Sequence, residues 1–169
     1  MERNVDTILT DLFGKTRPTK WVTRERPKID RLACPWLIRR FIDEKAVFLF
    51  VPTADVFNSA AKEHAVAFDI PGAAFSHDGD ACSFDAFIKR FALKDAGLEA
   101  LAPIVRGADT DRHDLAPEAA GLHAISVGLA HNYADDHALL AAGMVLYDAL
   151  YAYATAQGER HTWKPETMR

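Results

Sequence analysis

From Asp135 to Gln157 the chain runs without a proline, and its apolar residues recur at helical spacing until Gly158 ends the pattern. A helix of that length draws its stability from tertiary partners along an apolar face. The sequence that carries it therefore has to supply several other helices or a sheet to cover it. Its most apolar part, Ala138 to Ala154, is broken by Asp148 and falls short of the unbroken span a bilayer requires. It reads as a buried helix, with no membrane as partner, and Gly143 within it lets a neighbour approach closely.

The rest of the chain supplies those partners. Val5, Ile8, Leu9 and Leu12 form one face of a short helix that stops at Gly14, and residues 1–20 read as a helical extension. Trp21 to Thr23 is a short strand. From Lys28 to Asp43 the residues Ile29, Leu32, Ala33, Trp36, Leu37 and Phe41 fall near helical spacing, interrupted by Pro35, so either the helix kinks there or a new one begins. Phe48 to Val51 is a wholly apolar strand and Val66 to Ile70 another, leading into the turn-rich loop at 71–80. Ser83 is placed to cap a helix whose Phe84, Phe87, Ile88 and Phe91 face the core, with Asp85 in its first turn. A helix over Asp95–Arg106 stops at Gly107, and one opening at Pro117 carries Leu122, Ile125, Leu129 and Tyr133 on one side. The fold class is α/β in the α+β sense: a mostly helical single domain over residues 21–158, with a small sheet of short strands and a tail over 159–169.

A formal charge of −4 and 26% charged residues exclude a chain whose whole surface neutralises nucleic acid. Two cysteines, Cys34 and Cys82, are too few for a disulfide scaffold, and Val5 to Gly14 is too short and too charged for an export signal, so a cytoplasmic location is expected. No internal repeat or low-complexity linker divides the chain.

Several blocks stand in one order: Trp21-Val-Thr-Arg24, Ile29-Asp-Arg-Leu-Ala-Cys-Pro-Trp-Leu-Ile-Arg-Arg-Phe-Ile-Asp43, Phe48-Leu-Phe-Val-Pro52, Phe68-Asp69, His77, Cys82-Ser-Phe-Asp-Ala86, Ile104-Val-Arg-Gly-Ala-Asp-Thr110, Pro117-Glu-Ala-Ala-Gly121 and Asp135-Asp-His137. Together they resemble the C-terminal domain of the bacterial chromate-resistance (ChrB-type) proteins. The resemblance covers about residues 21 to 155. It implies a role around chromate resistance and no settled reaction, so whether the chain is an enzyme stays open. The N-terminal half of the longer regulator-type members is not in this sequence, and the resemblance gives this domain alone no nucleic-acid partner.

Three constellations could carry chemistry. Arg24, Lys28, Arg31 and Arg39 could line a pocket for an oxyanion such as chromate, because guanidinium forks and helix N-termini bind tetrahedral dianions well; the plain alternative is a charged face paired with Asp30, Asp43 and Glu44. Cys82 stands at a helix start, where a positive dipole end favours the thiolate, and His77 could serve it as a base in a small thiol-dependent redox enzyme; the plain alternative is a core cysteine. His77, Asp109, Glu118 and Asp30 are ligand types for zinc or iron, although their spacing matches no standard metal motif. The partner is thus a small anion or a metal ion. A different class of reading is an interaction module whose helices 117–157 form a homodimer face.

Overall fold

The computed structural model describes residues 5–15 and 17–156, with α1 (Val5–Phe13), β1 (Lys20–Arg24), α2 (Asp30–Leu37), β2 (Val47–Val51), α3 (Val56–Glu63), β3 (Val66–Ala67), α4 (Ser83–Arg90), α5 (Ala96–Asp109), α6 (Ala119–Asn132) and α7 (Asp136–Thr155). The mostly helical α+β architecture with a small sheet is the one the sequence indicates. Gly158 and the 159–169 tail lie outside the described residues.

The sheet is parallel throughout, in the order β2-β1-β3, so β1 is its central strand. Burial of Trp21, Val22 and Thr23 on both faces explains why this strand is a continuous short run and not an alternating one. β3 pairs over only two residues, fewer than the 66–70 strand expected. The chain leaves the sheet at Phe68, which bridges to Phe75, and Asp69 takes a left-handed φ of 51° that no strand continues through.

Pro35 lies inside α2, and the helix does not restart there. It gives way to one π-helical turn over Ile38–Ile42, closed by the Asp43 amide on the Ile38 carbonyl. α5 runs three residues past its expected end. Gly107 is not its stop but a contact point: a Cβ there would sit 2.8 Å from the Arg112 carbonyl and 2.9 Å from the Ala119 Cβ. The chain's turn back toward α6 is pressed that close. Gly143 of α7 makes the approach the sequence implies, since a Cβ there would meet Leu32 at 3.2 Å. Ile125, expected on the inner face of α6, is half exposed; the buried positions of that helix are Ala119, Leu122 and Ser126.

Two aromatic groups fill the core. Phe75, Phe87 and Phe91 stack in parallel beside Trp21, with Phe75 and Phe87 centroids 4.4 Å apart. Trp36 packs with Phe41, Tyr147 and Tyr151, and its indole N–H donates to Asp148 of α7 at 2.8 Å, which explains the one charge in that helix's apolar stretch. Among the described residues α7 is the single helix long and apolar enough to cross a membrane, with a mean hydropathy of 1.3, and it packs along α2, α5 and α6. Arg26 ties the β1–α2 loop to this layer by donating to the carbonyls of Ala130, Tyr133 and Ala134 at the end of α6 and to Asp136 at the start of α7.

Candidate functional site

The carboxyl ends of parallel strands are where α/β folds gather ligand-binding groups, and here the end of β1 and the residues just after β3 bring Arg24 and Asp69 together. Arg24 donates through one Nη to the Asp69 carbonyl at 2.8 Å and to its carboxylate at 3.0 Å. Asp30 opens α2 directly above them. It is 1% exposed, and its two oxygens accept the Ser83 amide at 2.6 Å and the Phe84 amide at 3.3 Å, two of the free donors at the start of α4. The Ser83 hydroxyl donates to Asp69 at 2.8 Å. Asp109, at the end of α5, accepts the Asp30 amide at 3.3 Å.

His77 reaches into this group from the loop after β3. Its Nε2 lies 3.1 Å from Asp109, 3.4 Å from Asp69 and 3.5 Å from Asp30. One ligand atom from each of Asp30, Asp69 and His77 falls within 4.8 Å of the others, the spacing that a single ion can span. Arg31 approaches the far side, with Nε 3.4 Å from Asp69 and Nη1 donating to the carbonyls of Arg24 and Glu25.

The electrostatics follow from this crowding. Three carboxylates face two guanidinium groups, so the cluster lacks one positive charge, and a protonated imidazole supplies it. Hydrogen bonds to Asp30 and Asp69 hold the His77 pKa up at about 10, against the loss of solvation. Burial raises the Asp30 pKa despite its bond to His77, and burial together with the charges of Asp30 and Asp69 pushes Asp109 to about 7. Asp69 is also buried, but His77, Ser83, Arg24 and Arg31 outweigh that and hold it below the usual value. The backbone is strained at this point as well. Ile29, a β-branched residue, has φ 39°, and its carbonyl is held by the Leu32 and Ala33 amides and by the buried Tyr147 hydroxyl at 3.0 Å. That fixed carbonyl sets where Asp30 enters the cluster.

Of the residues singled out from sequence, the structure gathers Arg24, Asp30, Arg31, His77 and Asp109 and leaves the others apart. Lys28 precedes the helix and is exposed. Arg39 donates to the Ala46 carbonyl and lies over the Phe48 ring at 5.1 Å, because the π turn breaks the continuous helical face assumed for it. Glu118 accepts the Tyr153 hydroxyl at 2.6 Å between α6 and α7 and takes no part in the cluster.

Cys82 is corrected most sharply. It, and not Ser83, occupies the cap position of α4, where its amide donates to Asp85 at 3.0 Å and its Sγ lies 3.3 Å from the same oxygen. The thiol is buried, and burial with the charges of Asp30 and Asp85 raises its pKa far above the ordinary cysteine value. Asp85 is in turn gripped by both ends of the Arg106 fork, at 2.7 and 2.8 Å. The helix dipole that predicts a reactive thiolate is overridden by desolvation and neighbouring carboxylates, and His77 is engaged elsewhere. Asp69 was missed as a site residue. Its signal was its place in the Phe68-Asp69 block, two residues past the end of β3.

Comparison with known proteins agrees over most of the chain. The model of the family described as ChrB, C-terminal domain, matches residues 21–154. Protein ChrB of Cupriavidus metallidurans is 37% identical over 142 residues, which is 83% of this chain and 42% of that protein. The chain thus spans less than half the length of the curated relative it matches. No solved structure matches it.

Proposed function

The chain belongs to the ChrB C-terminal-domain family, and from that premise we propose that it is a divalent-cation-binding domain acting in chromate resistance in the cytoplasm. The observation that carries this reading is the convergence of Asp30, Asp69 and Asp109 on the Nε2 of His77. Two nearly buried carboxylates with oxygens within 4.8 Å of each other are costly unless a cation joins them. Asp and His donors suit zinc, iron(II) or manganese. The ion would replace the His77 proton and leave the carboxylates bound by second partners that already orient them: Ser83 and Phe84 for Asp30, Ser83 and Arg24 for Asp69.

A second observation extends the reading to an oxyanion. The Arg24 Nε is shielded from solvent without a hydrogen-bond partner, although one Nη of the same group is used. With a divalent ion and a neutral His77 the cluster carries a net positive charge beside this donor. A dianion such as chromate would then bind at an open position on the ion, with Arg24 turned toward it.

Elemental analysis of protein purified without a metal-affinity tag tests the reading. His77→Ala and Asp30→Asn should each hold one equivalent of divalent metal less than the wild type and Glu118→Ala. The same metal content in all four proteins would overturn it.

A further inference from the structure

We infer that the free edge of β2 is a self-association site, where a second copy of this chain lays its own β2 antiparallel and joins two three-stranded sheets into one. The backbone of this edge strand is half used. The Val47 amide donates to the Thr19 carbonyl at 2.8 Å and the Val51 carbonyl accepts the Glu25 amide at 2.8 Å, so residues 47, 49 and 51 turn their backbone groups toward β1. Phe48 and Phe50 turn theirs outward, and among the described residues these groups have no hydrogen-bond partner.

The side chains leave the same edge uncovered. α3 packs on β1 and β3, so on that face of the sheet Val47 is 46% exposed and Leu49 and Val51 are only half-buried. The three make one apolar, uncharged stripe. The edge is closed at both ends: the Arg39 Nε occupies the Ala46 carbonyl at 3.2 Å, and Pro52 has no N–H to offer. What stays open is symmetrical about Leu49, and that symmetry selects a second copy over an unrelated extended peptide. With a two-fold axis beside Leu49, Phe48 of one copy lies opposite Phe50 of the other and exchanges both backbone hydrogen bonds with it. Leu49 then faces Leu49 and Val47 faces Val51, at the positions where cross-strand side chains come closest, with Cα atoms about 4.5 Å apart. Centring the pairing on Phe48 or Phe50 instead would set an outward residue against the occupied Ala46 carbonyl or against Pro52. An interface this short gives a weak, concentration-dependent dimer. Antiparallel pairing puts the two carboxylate clusters at opposite ends of the joined sheet, so the inference does not rest on the metal reading.

The test is sedimentation velocity of the full chain over a concentration series, for the wild type, Leu49→Lys, Leu49→Glu, an equimolar mixture of these two, and Val145→Arg on the outer face of α7. The wild type and Val145→Arg should approach twice the 18.7 kDa chain mass as concentration rises. Because Leu49 meets its own copy, each charged variant alone sets like charges opposite one another and should associate at least tenfold more weakly. The mixture sets Lys against Glu and should recover the dimer, which also shows both variants to be folded. A wild type that stays monomeric at every concentration, association unchanged in both charged variants, a mixture that stays monomeric, or loss of the dimer in Val145→Arg would each overturn the proposal.

Discussion

Replacing Asp109 by Asn should stabilise the metal-free protein while weakening its hold on a cation. Asp109 has an ordinary carboxyl value of 3.8 when unfolded and about 7 when folded, because burial and the charges of Asp30 and Asp69 oppose its ionisation. The folded state therefore binds more protons than the unfolded state between those values, and stability falls as pH rises from 3.8 to 7. Below 3.8 the penalty is absent, and above 7 it is complete. A shift of that size corresponds to about 4 kcal/mol, an upper bound because water and His77 screen part of it, so Asn should recover about 1–3 kcal/mol at pH 8. Its Oδ1 can still accept the Asp30 amide. Urea unfolding in the presence of a chelator, at pH 8 and again near pH 4, measures this directly. The account expects a gain at pH 8 that disappears near pH 4. A loss of stability at pH 8 would refute the view that the carboxylates repel one another without an ion.

The remaining predictions concern His77, Cys82, Gly107 and the outer helices. In chelator, the His77 contribution is complete below pH 6.5 and is lost as pH rises through about 10; nuclear magnetic resonance should follow that titration, and zinc added at pH 8 should release a proton, whereas an imidazole titrating near 6.5 would contradict the geometry. Cys82 should resist iodoacetamide at pH 8 in the native state and react once unfolded, since burial and two carboxylates oppose its thiolate; rapid native labelling would restore the thiol-chemistry reading. Gly107→Ala should lower the urea midpoint by about 1–3 kcal/mol of stability, because the new methyl meets a backbone carbonyl at 2.8 Å; a neutral effect would show that the turn yields. The interaction-module reading puts a homodimer face on helices 117–157, where Ile125 and Val145 are 50% and 70% exposed; under that reading light scattering would give twice the 18.7 kDa chain mass and Val145→Arg would halve it, while a monomeric wild type would end it.

The helices and the central strand were legible because their apolar residues repeat at fixed spacing. What spacing does not encode was lost: Gly107 looks like a stop in sequence, but it is a site of close packing that only the return of the chain at Arg112 creates. Ile125 fits the apolar periodicity of α6 and still faces outward, since α6 buries Ala119, Leu122 and Ser126 instead. For the site, Arg24, Asp30, Arg31, His77 and Asp109 were each named, yet in three different constellations. They merge because the parallel sheet and the strained Ile29 bring loop ends together that are remote in sequence. Cys82 was misread through one local effect, the helix dipole, when burial beside Asp85 decides its chemistry.

The central claim is that the carboxylates and His77 hold one divalent ion. A crystal structure of protein loaded with zinc or manganese, with anomalous scattering measured at the metal edge, tests it most directly. The account predicts an anomalous peak bonded to His77 Nε2 and to oxygens of Asp30, Asp69 or Asp109, with Ser83 still donating to Asp30 and Asp69. A fully loaded crystal with no peak inside this cluster would contradict it.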